Sequence, residues 1–363
     1  GPIGMAVGYQ KRQEFDMAYP SAVELSGDAY IGEPRNAAGE KVKEVHTYFR
    51  REVDALFAEL SIPVLSNLEI QAAVRHEDFN TGQSSTDPKF GITYAPTDWL
   101  TLRGTTGDAF IAPSLGQMFA PSVCGLGEIT DQFGPFSGFT TRCQQGNQQL
   151  SNETSESDSY GFDLAFGDFS FSATYSETKF VNRIITALPL QLIQIDFFNF
   201  QQQTGFAGDG SAGNQPSLDQ LKSWLASGQS DPNIIRNPAD PYEITRVNTG
   251  ATNASTVTVK AYDFQADYSL NLGDIGLDNW GQMRFNLRAT NLDSFMYQER
   301  VTSPMTEAVG RQNFATGAAP AAPEWKANFT MGWTNGNHNI TAITRYVDDM
   351  IYDGSDFSFI QRY

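Results

Sequence analysis

Apolar and polar residues alternate one for one along most of this chain, and a period of two admits strands while excluding amphipathic helices. In SYGFDLAFGDFSFSATY, Tyr160, Phe162, Leu164 and Phe166 share one face, and after Gly167-Asp168 the series resumes with Phe169, Phe171, Ala173 and Tyr175. Aromatics kept in phase across a two-residue Gly-containing turn mark a β-hairpin. The same rhythm runs through Ile3, Met5, Val7 and Tyr9, and through Leu68, Ile70, Ala72 and Val74. It returns in Phe90, Ile92 and Tyr94, in Tyr262, Phe264, Ala266 and Tyr268, and in Met283, Phe285 and Leu287. Trp325, Ala327, Phe329, Met331 and Trp333 lead into Asn335-Gly336, a hairpin turn signal, and a further strand through Tyr346. About eleven such strands are expected, each near the roughly 9–11 residues of a tilted membrane strand. The fold class is all-β.

Which face is wet decides the architecture. Arg, Lys, Glu, Asp and Gln recur on one face, and aromatics, 12% of the chain against 18% charged residues, recur on the other. An apolar outer band with aromatic girdles and a polar interior is the pattern of an antiparallel transmembrane β-barrel. A soluble sandwich shows the same alternation and is the rival. The connections favour the barrel. Turns such as Gly167-Asp168 are minimal, whereas long outer loops are expected at about 109–158 and 184–242. Short turns on one side and long loops on the other fit an outer-membrane barrel. Within the second loop, SLDQLKSWLASG places Ser217 as an N-cap ahead of Leu218, Leu221, Trp224 and Leu225, a short helix packed on the loop, with a membrane-surface helix as the alternative. No run of apolar residues has the length of a membrane helix, which says nothing against a barrel.

A formal charge of −18 with no basic stripe argues against nucleic acid as a partner. Cys124 and Cys143 fall in one polar segment; a pair closing such a loop reads as a disulfide in an oxidising compartment, with two free thiols as the alternative. No enzyme active site is expected. The three histidines, His46, His76 and His338, are scattered without metal-ligand spacing, and neither a phosphate loop nor a nucleophile elbow is present. The acidic stretch with Asp348, Asp349, Asp353 and Asp356 departs from the standard Ca²⁺ loop and reads as a solvated loop. No cofactor or metal site is expected. The chain opens in strand rhythm without an initiator Met or signal peptide, and reads as a piece of something longer.

Four motifs, in order, resemble the TonB-dependent outer-membrane receptors. AELSIPVLSNLEIQAAVRHEDF matches at Glu59, Leu60, Ile62, Pro63 and Arg75, and the next segment at Asp87, Pro88, Lys89, Phe90 and Gly91. PTDWLTLRGTTGDAFIAPSLGQMF matches at Trp99, Leu100, Leu102, Arg103, Phe110, Ala112, Pro113 and Ser114, with Ile111 in place of the family's usual second arginine. GNQQLSNETSESDSYGFDL matches at Gly146, Asn147, Leu150, Glu153, Thr154 and Ser155.

The resemblance implies that residues 1–363 are part of a ~22-stranded barrel whose lumen is plugged, with the N-terminal plug and the last strands absent. It implies an outer-membrane location in a Gram-negative bacterium and energised import of a siderophore, vitamin or oligosaccharide. The implied partners are lipid, the protein's own plug, the TonB complex acting through that plug, and the nutrient. Leu100 and Leu102 then face lipid, and Thr101 and Arg103 the lumen. Ligand contact is expected on the first long loop at Phe110, Phe119, Phe133, Phe136 and Phe139; the plainer alternative is that these rings only fold the loop upon itself. Arg75, Arg103, Arg284 and Arg288 are expected to face the lumen, where they either line the path or, the favoured role, hold the plug through bidentate carboxylate pairs. A passive porin and a soluble β-rich binding module are the competing functions.

Overall fold

The alternation becomes one antiparallel meander. The computed structural model describes residues 1–18, 47–120, 123–134, 137–186, 188–298, 305–313, 319–352 and 361–362. Its strands are β1 (Gly4–Ala18), β2 (Thr47–Leu65), β3 (Leu68–Phe79), β4 (Ser84–Thr97), β5 (Leu100–Ile111), β6 (Val123–Thr130), β7 (Ser137–Gln145) and β8 (Glu153–Phe166). They continue as β9 (Phe169–Thr186), β10 (Ile234–Arg236), β11 (Ile244–Asn271), β12 (Gln282–Gln298), β13 (Thr306–Glu307), β14 (Trp325–Asn335) and β15 (His338–Val347). Helices are α1 (Leu115–Phe119), α2 (Pro189–Thr204) and α3 (Leu218–Ala226). Among the described residues, the eleven strands β1-β2-β3-β4-β5-β8-β9-β11-β12-β14-β15 hydrogen-bond in that order, and the wall does not close on itself.

Register sorts the side chains into two faces. Tyr94, Leu102, Phe162, Ala173, Phe264, Ala289, Ala327 and Tyr346 form one row across eight strands. The neighbouring row on the opposite face is Thr93, Arg103, Gly161, Thr174, Asp263, Thr290 and Lys326. The apolar face lies open, with Tyr160, Phe329 and Ile340 among its exposed residues. So broad an exposed apolar surface calls for lipid or a partner. Its height is set on β8, where Phe166, Leu164, Phe162 and Tyr160 give way to Asp158 and Glu156, opposite Glu177 and Lys179. That run covers roughly 20 Å at about 3.4 Å per residue, close to the ~25 Å apolar band of a membrane barrel. At the short-turn end Trp99 stacks on Phe166 with ring centroids 5.0 Å apart.

Two hairpin turns begin with glycine at φ 56°, Gly167 and Gly336. The second turn is Gly336-Asn337, one residue later than the Asn335-Gly336 pair suggests, because Asn335 still pairs with His338. The long loops are also shorter than the alternation implies. Strand β5 runs to Ile111, β8 starts at Glu153, and β9 reaches Thr186. Backbone ladders continue past the point where the outer face turns polar, and only the aromatic pattern stops there.

Phe162→Arg, in the middle of the outer row, is expected to lower stability of the full-length receptor in lipid vesicles by about 2–4 kcal/mol. Thr105→Arg, on the inner face of the adjoining strand, is expected to cost less than about 1 kcal/mol. Urea unfolding followed by Trp fluorescence measures both; equal costs would mean that the apolar face does not meet lipid.

Candidate functional site

The two long loops fold together as a cap on the outer end of the wall. Strands β6 and β7 form a hairpin joined by the Cys124–Cys143 disulfide. β11 continues from the wall into the cap, where Arg246–Gly250 pairs in parallel with Thr141–Gln145 of β7 and β10 pairs on its other side. One strand thus runs from wall to cap, with its ladder to β9 shifting register between Asn253 and Val257.

The cap holds the main core of the described chain. Ile129, Leu192, Ile193, Ile234, Ile244 and Val247 form one cluster. Phe133, Phe197, Phe200, Leu221 and Trp224 form the other, with Phe206, Leu225 and Tyr242 packed against it. Helix α3 forms where Ser217 was expected to cap it: its Oγ accepts from the Gln220 amide while the Gln220 side chain accepts from the Ser217 amide.

One buried polar seam joins the two loops, and a second ties the helices of the second loop together. Arg236 holds Asp131 in a fork, Nη1 to Oδ2 at 2.6 Å and Nη2 to Oδ1 at 3.1 Å, with both side chains at most 3% exposed. Its guanidinium also lies 5.0 Å over the Phe133 ring. Asp196 accepts from Trp224 Nε1 at 3.1 Å and from the Asp231 amide at 2.9 Å. Burial pushes the Asp196 carboxyl up to about 6, against the pull of those two donors.

Beneath the cap a cavity of about 680 Å³ opens between the 145–149 turn, the 231–233 turn and the 248–254 stretch of β11. That volume lies within the ~300–1,000 Å³ range of small-molecule sites. Its frame is fixed by Asn147, whose Nδ2 donates to the Ala251 carbonyl at 3.0 Å and whose backbone amide donates to Gln117 O at 2.8 Å. Asn233 Nδ2 donates to Asp231 Oδ1 at 3.0 Å, and Asn248 Oδ1 accepts from Arg246 Nε at 2.7 Å. The side chains of Gln145, Gln148 and Gln149 have no partner among the described residues. These amides were not among the residues singled out in the sequence, where only the backbone motif at Gly146 and Asn147 stood out.

The expected ligand-contacting rings scatter. Phe110 lies in β5, edge-on to Phe79 with centroids 5.9 Å apart, so it belongs to the wall rather than to the loop. Phe119 stacks on Phe49 at 5.3 Å and fastens the loop base. Phe133 is fully buried at 0% exposure in the second cluster of the cap. Phe136 lies outside the described residues, as do His46, Asp353 and Asp356. Phe139 stands exposed on β7.

The four arginines share the inner face and differ in occupancy. Arg103 closes on its own wall, with Nε to Asp163 Oδ2 at 3.0 Å and Nη2 to Ser172 and Thr174 hydroxyls. Gly161 makes room for it, since a Cβ there would sit 3.1 Å from the guanidinium carbon. Arg75 pairs with Glu77 at 2.6 Å, and Arg12 binds the same carboxylate at 2.7 Å. Nearby, Arg51 Nη1 donates to the Pro113 carbonyl at 2.6 Å and ties the first loop to β2. Arg288 donates to Gln265 at 2.6 Å. Arg284 is exposed and has no ion-pair partner among the described residues, as is true of Lys326 and Arg345 on the same face.

Comparison with known proteins agrees with this architecture. The chain matches the family described as TonB dependent receptor-like, beta-barrel, over residues 4–361. A hemin receptor of Yersinia pestis is 31% identical over 135 residues, 35% of this chain and 19% of the relative. The ferric enterobactin receptor of Pseudomonas aeruginosa superposes with a TM-score of 0.62 at 14% identity, covering 96% of this chain and 40% of that one. The siderophore receptor PirA of Acinetobacter baumannii gives 0.58 at 13% identity, covering 94% and 39%. Likeness at such low identity establishes the fold, and the chain spans about two-fifths of the two solved structures. By this match over nearly its whole length, the chain belongs to the TonB-dependent receptor-like β-barrel family.

Proposed function

We propose that the chain is the cap-bearing part of an outer-membrane receptor that captures a scarce or bulky nutrient and passes it inward by TonB-coupled work on a plug. What carries this reading is the stacking of three features along one axis. A continuous apolar outer face turns polar at Asp158 and Glu177, and above that line stands a folded cap with an open cavity lined by side-chain amides. A pore that only sieves solutes has no use for an ordered binding cavity held by two cores and a disulfide. The inner-face cations Arg284, Lys326 and Arg345 are available to carboxylates of a plug, whereas Arg75 and Arg103 already have partners in the wall.

The test is uptake by a Gram-negative strain carrying the full-length gene, against its deletion and against loss of TonB. Accumulation of labelled iron chelates, vitamins and oligosaccharides is measured in each. The expected result is that one class is taken up only when both the receptor and TonB are present. Uptake that persists without TonB would replace the proposal with a passive porin.

A further inference from the structure

The chemistry of the cap limits the cargo, given the import reading above. Segments 112–152 and 187–254, which take in the cap part of β11, together carry four cations against eight carboxylates. Of the cations, Arg236 is buried on Asp131. A haem with two propionates, or a ferric chelate of high negative charge, would meet like charge in this cap, which is costly at a binding surface.

Iron ligation is equally ill served. Haem iron takes axial His, Cys thiolate, Met or Tyr, and neither segment contains a histidine. Both cysteines are in the disulfide, Met118 is buried, and the lone tyrosine, Tyr242, donates its hydroxyl to Pro216 O at 2.9 Å.

What the two segments do hold is twenty-two asparagines and glutamines. Around the cavity, Gln145, Gln148 and Gln149 have open side-chain amides, Thr252 adds a hydroxyl, and Asn248 has an unused Nδ2 donor. Each amide offers donors and an acceptor together. Asp231 is the single carboxylate of the lining and accepts from Asn233 Nδ2; the other polar groups there are neutral and both give and take hydrogen bonds, a surface that matches a ligand built of hydroxyls. It gives no net attraction to a charged one.

We infer that the cavity binds a neutral oligosaccharide, gripped through Gln145, Gln148 and Gln149. The experiment is titration calorimetry on the full-length receptor in detergent. The probes are neutral tetrasaccharides of glucose, xylose, mannose and galactose, alongside hemin and a ferric catecholate. At least one tetrasaccharide is expected to bind, with a Kd unchanged between low and high salt. Gln145→Ala with Gln148→Ala is expected to weaken it about tenfold, the loss of two neutral hydrogen bonds. Because neither side chain has a partner among the described residues, hydrogen exchange in the cap is expected to stay unchanged.

Binding of hemin or the ferric chelate instead, weakened by the same substitutions, would overturn the inference, and so would failure of all four tetrasaccharides. The import reading is judged separately by TonB-dependent uptake. A TonB-dependent iron chelate would leave that reading standing while removing the oligosaccharide; tetrasaccharide binding without TonB-dependent uptake would do the reverse.

Discussion

Asp131→Ala is expected to destabilise the cap by about 3–5 kcal/mol, because it strands the buried Arg236 guanidinium without its carboxylate. The remaining contacts of that guanidinium, a 3.1 Å bond to Pro241 O and the Phe133 ring, do not neutralise a charge. Arg236 Nε is already buried without an acceptor, so the site has no reserve. The loss is expected to be local. Amides of β6, β7 and β10 should exchange hydrogen faster in the full-length receptor, while those of β3 and β4 keep their protection. Asp131→Ala with Arg236→Met is expected to recover most of the loss, since removing both charges is far cheaper than removing one. A single substitution costing less than about 1 kcal/mol would show that the fork does not hold the loops together.

The wall was legible in the sequence because its signal is local. Two-residue alternation fixes which face each side chain takes, and turns such as Gly167-Asp168 fix the order of the strands. The cap was legible only where a local signal existed, as in the capping box at Ser217 and Gln220. Its two seams join distant residues: Asp131 lies 105 positions from Arg236, and Asp196 lies 28 from Trp224. No periodicity reports such pairs.

Helix α2 went unread for a related reason. Leu192, Ile193, Phe197 and Phe200 face the cores while Leu190 and Phe198 stand exposed, so no single polar face marks it. Loop position alone groups Phe110 with Phe133, but ladder pairing puts the first in the wall and packing puts the second inside the cap core. Apart from Asn147 in its motif, the neutral amides of the cavity carried no signal, because glutamine and asparagine in a loop are ordinary until the fold gathers them around one space.

Trp224→Ala is expected to cost the cap about 3–5 kcal/mol, the usual penalty for removing a large buried aromatic. The residue is 3% exposed and lies edge-on to Phe200 at 5.7 Å. Its indole also donates to Asp196, so Trp224→Phe separates the two roles: the ring contact stays and the donor goes. Here pH discriminates. A carboxyl raised to about 6 when folded binds a proton more readily than the same group in the unfolded chain. Its contribution to stability is therefore fully present below the ordinary carboxylate range and is lost as pH rises through about 6. The wild-type cap is thus expected to be firmer at pH 5 than at pH 7, by hydrogen exchange corrected for intrinsic rates. At pH 5 Asp196 is mostly neutral and needs the indole donor least; at pH 7 it is mostly charged and needs it most. The cost of Trp224→Phe is expected to be larger at pH 7 by about 1–2 kcal/mol, in keeping with a hydrogen bond to a charged group. An equal cost at both pH values would mean that the tryptophan supports the cap through its ring alone, and that the Asp196 seam does not couple the two helices.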